Sequence, residues 1–163
     1  MSKIEELIEK LCPDGVEYKK IGDYIVFEQP TNYIVKSTDY DNSYKVPVLT
    51  AGQSFILGYT NENFGIYKAS KNNPVIIFDD FTGVFKWVDF DFKVKSSAMK
   101  MLKAKSNLIL LRYFYHYMGS KNFISTEHKR LWIGIYSEFE FPVPPLEIQR
   151  EIVQILDNFT ELT

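Results

Sequence analysis

The 163-residue sequence has a single cysteine, Cys12, which excludes an internal disulfide framework and a cysteine-rich zinc site and fits a reducing compartment. Its two histidines, His116 and His128, have no further His or Cys at ligand spacing, so no zinc site is expected. No apolar run approaches the roughly 18 residues of a membrane span. The opening Met1-Ser2-Lys3-Ile4-Glu5-Glu6 lacks a hydrophobic signal region, and a cytoplasmic chain with no membrane partner is expected. Internal repeats, low-complexity tracts and a glycine-rich cofactor loop are also missing, and no cofactor is expected.

Hydrophobic residues make up 45% of the chain and aromatics 16%, enough for one domain with a sizeable core. The net charge of −2 argues weakly against a polyanionic partner until it is divided. Residues 1–67 balance at −4, residues 68–130 at +7 and residues 131–163 at −5. A basic centre between acidic ends is the footprint of a polyanion-binding surface.

Local patterns imply an α+β, strand-rich globular domain. Ser2 and Glu5 can form a capping box before the stripe Ile4, Leu7, Ile8 and Leu11, and Cys12-Pro13-Asp14-Gly15 ends that helix. Tyr24–Glu28, Val46–Leu49, Phe55–Tyr59, Val75–Phe78 and Phe85–Val94 read as strands. Ser106 suggests an N-cap for a helix carrying Leu108, Leu111, Tyr115 and Met118 and ending near Gly119. Leu131–Tyr136 and the alternating Glu138–Phe141 return to strand.

Pro144-Pro145 then opens a last helix, setting a boundary between a domain over 1–143 and a helical segment over 144–163. Ile148, Ile152, Ile155, Phe159 and Leu162 follow at spacings of 4, 3, 4 and 3, a coiled-coil-type seam. Such a seam packs on another helix, in a second chain or a continuation. The alternative is a terminal helix folded on its own domain.

Catalytic motifs fail on inspection. Asn73-Pro74-Val75 lacks the second proline and the aromatic of an adenine-methyltransferase motif, and reads as a turn entering a strand. Asp14, Glu17 and Lys19 have the letters of a metal-dependent nuclease but are too close together on a glycine turn. Asp79-Asp80 suits capping at a strand end, because adjacent strand side chains point to opposite faces. Cys12 has no histidine beside it and suits a small buried filler.

The binding signal is stronger. Lys93, Lys95, Lys100, Lys103 and Lys105 fall within thirteen acid-free residues, beside Ser96 and Ser97. Lys68 and Lys71 flank Asn72-Asn73, and Lys129-Arg130 precedes Trp132. Amines and hydroxyls can hold phosphates, while amides can read base edges.

Two stretches carry a family resemblance: Leu7 to Tyr18, with its Cys-Pro-Asp-Gly turn, and Phe141 to Thr160, with Pro-Val-Pro-Pro-Leu-Glu-Ile-Gln-Arg-Glu-Ile. Together they resemble the specificity subunit of Type I restriction-modification enzymes, as one target recognition domain plus the start of a conserved helix. The resemblance implies a subunit without chemistry of its own, whose two recognition domains each read half of a split duplex DNA site. Long helices between them fix the spacing. Partners implied are modification subunits that methylate adenine and restriction subunits that cut the DNA. The family's usual subunit is more than twice as long, so this chain is expected to be a half-subunit, a truncation or a fragment. Half-subunits could pair through the helix seam.

The residues placed at DNA are Lys93, Lys95, Ser97, Lys100 and Lys103 for phosphates, and Gln53, Ser54, Asn72, Asn73 and Thr82 for base edges. The competing function is an assembly or regulatory module acting through the last helix without reading DNA.

Overall fold

A computed structural model describes residues 1–50, 52, 54–121 and 129–161. The chain divides into two compact units. The first comprises Met1–Val26, Ala104–Asn122 and Trp132–Thr163, and the second Phe27–Lys103 and Phe123–Leu131. The last helix shares a unit with the first, and the two are in contact.

In the first unit, α1 spans Lys3–Leu11, and the Ser2 hydroxyl accepts from the Glu5 amide at 3.2 Å as the capping letters require. β1 (Tyr18–Lys20) pairs antiparallel with β9 (Glu140–Pro142), placing Lys19 opposite Phe141. A single helical turn, α2 (Ile21–Tyr24), follows β1, and Ile21 is buried. Phe141 is fully buried, with its ring 5.6 Å from Phe114 of α3 (Leu111–Lys121) and 6.3 Å from Tyr24. Edge-on aromatic packing of this kind gives the unit its core.

Helix α3 starts five residues after Ser106, whose hydroxyl accepts from the Leu108 amide in a local turn instead of capping the helix. The unpaired Leu110 amide at that end is satisfied from α4 (Leu146–Glu161). The buried Gln149 carboxamide accepts it at 2.9 Å and donates to the Leu108 and Pro144 carbonyls at 3.0 and 2.8 Å. Residues 131–136 are not a strand: they turn, with Gly134 at φ 78°, and lead into a 3-10 turn at Tyr136–Glu138.

The second unit holds most of the strands: β3 (Val46–Leu49), β4 (Ile56–Thr60), β5 (Val75–Asp79), β6 (Phe85–Val88), β7 (Lys93–Val94) and β8 (Met99–Ala104). One sheet has the order β2-β8-β5-β6, where β2 (Ile25–Glu28) is the strand along which the chain passes between units. The other has the order β4-β3-β7, with β3 and β7 parallel. β5 is buried from Val75 through Phe78, the continuous apolar run of a strand covered on both faces. Val75, Ile77, Val88, Met99 and Met101 from the first sheet form one cluster with Leu49 and Val94 from the second.

Two expectations are corrected here. Phe85–Val94 is two strands in different sheets, β6 and β7, because the chain leaves the first sheet after Val88. The basic block conceals a whole strand, β8, whose Met99 and Met101 are core residues.

Candidate nucleic-acid interface

The site residues expected from sequence separate into three groups. The first group is buried. Lys93 is fully enclosed, its ammonium 2.8 Å from the Glu62 carboxylate, donating to the Phe64 carbonyl at 2.7 Å and lying 4.2 Å from the Phe64 ring centre. Glu62 also accepts from the Ser37 and Lys36 amides at 2.9 and 3.1 Å. Burial pushes the Glu62 carboxyl up, but the Lys93 ammonium and these amides outweigh it and hold it below its ordinary value. Lys100 is equally enclosed, 2.9 Å from the buried Asp80 carboxylate and 3.4 Å from the Gln29 side-chain oxygen. Assigning Lys93 and Lys100 to phosphates is therefore corrected. Each balances a buried carboxylate, and a buried ion keeps its charge only with such a partner.

The second group gathers where β3, β5 and β7 end. The Lys95 amide donates to the Leu49 carbonyl at 3.1 Å, which sets the start of the 95–98 loop beside the end of β3. The 50–55 loop is closed by Thr50 N–H to the Phe55 carbonyl at 3.0 Å. The Asp80 amide donates to the Ala98 carbonyl at 2.8 Å, joining the 95–98 loop to the β5–β6 hairpin turn. In that turn the Asp79 carboxylate accepts from the Phe81 and Thr82 amides at 2.9 and 3.0 Å, so Asp79 caps as its position suggested. Asp80 finally accepts from Arg130 at 3.2 Å and from the Leu131 amide at 3.1 Å, bringing in residues 129–131.

The ends of β3, β5 and β7 and residues 129–131 are thus joined by hydrogen bonds. Lys95, Ser96, Ser97, Ser54, Lys129 and Arg130 are exposed, and Thr82 is half-buried. Gln53 lies outside the described residues, as do Leu162 and His128.

The third group sits at the opposite end of the same sheet. The turn closed by Ser70 and Asn73 enters β5, and the Asn73 side-chain oxygen accepts from Lys103 at 2.8 Å. With about 3.3 Å of rise per residue, the five residues of β5 separate this turn from the Asp80 loop by about 17 Å. Asn72, Asn73 and Lys103 therefore do not join Lys95, Ser97 and Thr82. Beside them a cleft of about 650 Å³ is lined by Lys45, Lys71, Asp89 and Asp91, and Lys68 pairs with Asp91 at 3.2 Å.

Sequence reasoning left Arg130 out of the site, although the adjacent basic pair Lys129-Arg130 was its signal. Its guanidinium lies 5.0 Å from the Phe81 ring centre, and its side chain is 52% exposed. Among the described residues no group of three or more His, Cys, Asp or Glu is placed to hold a metal ion. No described helix is long and apolar enough to cross a membrane.

In α4, Ile148 is buried and Ile152 half-buried, packed within the first unit, where α4 meets α1 and α3. Farther along, Ile155 and Leu156 are each 36% exposed and Phe159 64%. The seam is thus shared: its first half serves its own unit, and its second half faces outward. Between them Asp157 accepts from Arg112 Nε at 2.9 Å and contacts His116 Nε2 at 2.7 Å.

The arrangement is that of a mixed α/β module presenting a basic, hydroxyl-bearing loop surface tied by hydrogen bonds. The sequence profile of the "Type I restriction modification DNA specificity domain" matches residues 13–163, and the chain belongs to that family. It is 51% identical to the specificity subunit of the type I restriction enzyme EcoR124I/EcoR124II of Escherichia coli, over the whole of this chain and 42% of that protein. A putative type I specificity subunit of Haemophilus influenzae is 41% identical, again over the whole chain and 42% of its own length. The chain therefore spans less than half the length of these relatives. Among solved structures, the HsdS subunit from Thermoanaerobacter tengcongensis superposes with a TM-score of 0.61 at 14% identity, over 98% of this chain and 42% of that one. The type I S subunit from M. genitalium gives 0.62 at 18% identity, over 98% and 42%. These two likenesses concern the fold.

Proposed function

We propose that this chain is a DNA-reading module of a type I restriction-modification assembly, with no chemistry of its own. It recognises one half of a split duplex sequence through the loop surface of its second unit. The observation that carries the proposal is the convergence of the end of β3 with the 79–84, 95–98 and 129–131 segments, tied together through Leu49, Lys95, Ala98 and Asp80. Base readout needs donors and acceptors held in fixed positions, and exposed Lys95 and Lys129 beside them suit the flanking phosphates. Family membership and the names of the relatives support the same reading. Modification and restriction subunits are the proposed partners, and the cytoplasm the proposed compartment.

One observation favours an added assembly role. Ile155, Leu156 and Phe159 leave an apolar strip on α4 that suits a second helix, from a continuing chain or a second copy. Selection from a randomised duplex pool, with modification subunits present, tests the proposal. Enrichment of one short half-site supports it. Self-association with no enrichment at any salt concentration would instead leave only the assembly role.

A further inference from the structure

We propose that Arg130 is a specificity-determining residue that reads a guanine edge, and that Asp80 is its positioning residue. The inference rests on the DNA-reading role above and goes beyond it by naming the group and the base. Arg130 is held in two ways: its Nη1 donates to Asp80 at 3.2 Å, and its guanidinium lies over the Phe81 ring, 5.0 Å from the centre. Half of the side chain remains exposed, on the surface where the loops converge. A guanidinium is planar in itself, and a carboxylate on one side and a ring beneath fix the direction in which its remaining N–H donors point. That is the geometry of a bidentate contact to guanine O6 and N7, the commonest specific contact an arginine makes with a base.

The buried Lys100 completes the device. A carboxylate next to Arg130 would ordinarily cancel its attraction for DNA. Asp80, however, is already balanced by Lys100 at 2.9 Å, with both side chains at 1% exposure or less. The three charges sum to +1, and the one that is exposed is Arg130. Asp80 can therefore orient the guanidinium without neutralising the site, which accounts for a fully buried lysine at the end of a DNA-facing loop.

The chemistry shared by guanine and phosphate is a pair of acceptor atoms, and the test separates them. Half-site selection and binding at several salt concentrations are measured for the chain with its modification subunits, as wild type, Arg130→Lys and Arg130→Ala. Arg130 is half-exposed, and its removal leaves Asp80 with Lys100 and the Leu131 amide, so both variants should fold, which thermal unfolding checks. The expected result is loss of guanine preference at one position of the half-site in both variants, by about 10- to 100-fold. For Arg130→Lys the salt dependence stays unchanged. A uniform loss on all sequences with a salt slope lower by about one in Arg130→Ala marks a phosphate contact and overturns the proposal. Unchanged selection in both variants overturns it as well. Wild-type protein that selects no half-site refutes the DNA-reading role itself, a result distinct from either.

Discussion

Lys100 and Lys95 lie five residues apart in one basic block, and the structure gives their alanine variants opposite outcomes. Lys100→Ala removes one partner of an ion pair whose two side chains are at 0% and 1% exposure, and takes from the buried Asp80 its fully enclosed countercharge. Breaking a buried pair in this way costs about 3–5 kcal/mol. At roughly 2–4 °C per kcal/mol for a chain of this size, Tm should fall by about 6–20 °C, followed by circular dichroism. DNA binding measured well below that transition should keep the salt dependence set by Lys95 and Lys129, while guanine selection by Arg130 weakens, because Asp80 is no longer balanced by Lys100. Lys95→Ala should instead leave stability within about 0.5 kcal/mol and lower the salt slope by about one. An unchanged Tm for Lys100→Ala, together with a lowered salt slope, would refute the reasoning: Lys100 would then be a phosphate contact.

Further outcomes follow from other parts of the molecule. Gly65 has φ +58°, and a Cβ there would collide with the Asn32 carbonyl, so Gly65→Ala should lower stability by about 1–3 kcal/mol in denaturant unfolding. The Glu62 carboxyl is held below its ordinary value of 4.5, so its contribution is complete above that pH and is lost as pH falls through the lower folded value. Glu62→Gln should accordingly be less stable than wild type at neutral pH, and the difference should shrink on acidification, as read by Tm at pH 7 and at pH 3. Replacing Phe159, 64% exposed, with Glu should weaken any association through α4 while leaving Tm nearly unchanged, as light scattering and calorimetry would show.

What the sequence made legible was local. The Ser2 cap, the Cys12–Gly15 turn, the bounds of β3 and the Asp79 turn all depend on residues within three or four positions of each other, where pattern and propensity act. The misread parts depend on partners far along the chain. Lys100 was counted as surface charge because Asp80, which buries it, stands 20 residues earlier, and Lys93 because Glu62 stands 31 residues earlier. Those buried lysines also masked β8, whose alternation of methionine and lysine resembled a solvated block. Ser106 had the letter of a helix cap, but the first free amide of α3 is taken by Gln149, 39 residues beyond it. The Asn72-Asn73 pair and the Lys95–Ser97 loop each suited DNA as sequence. Only the length of β5 shows that they occupy opposite ends of a sheet.

On the proposed reading, DNA meets the end of the sheets where β3, β5 and β7 stop. Lysine reactivity toward an acylating reagent, mapped by mass spectrometry with and without duplex carrying the selected half-site, tests it directly. Lys95 and Lys129 should become protected by DNA, Lys45 and Lys71 should stay reactive, and Lys93 and Lys100 should be unreactive in both states. Protection of Lys71 and Lys45 with Lys95 and Lys129 unchanged would contradict it.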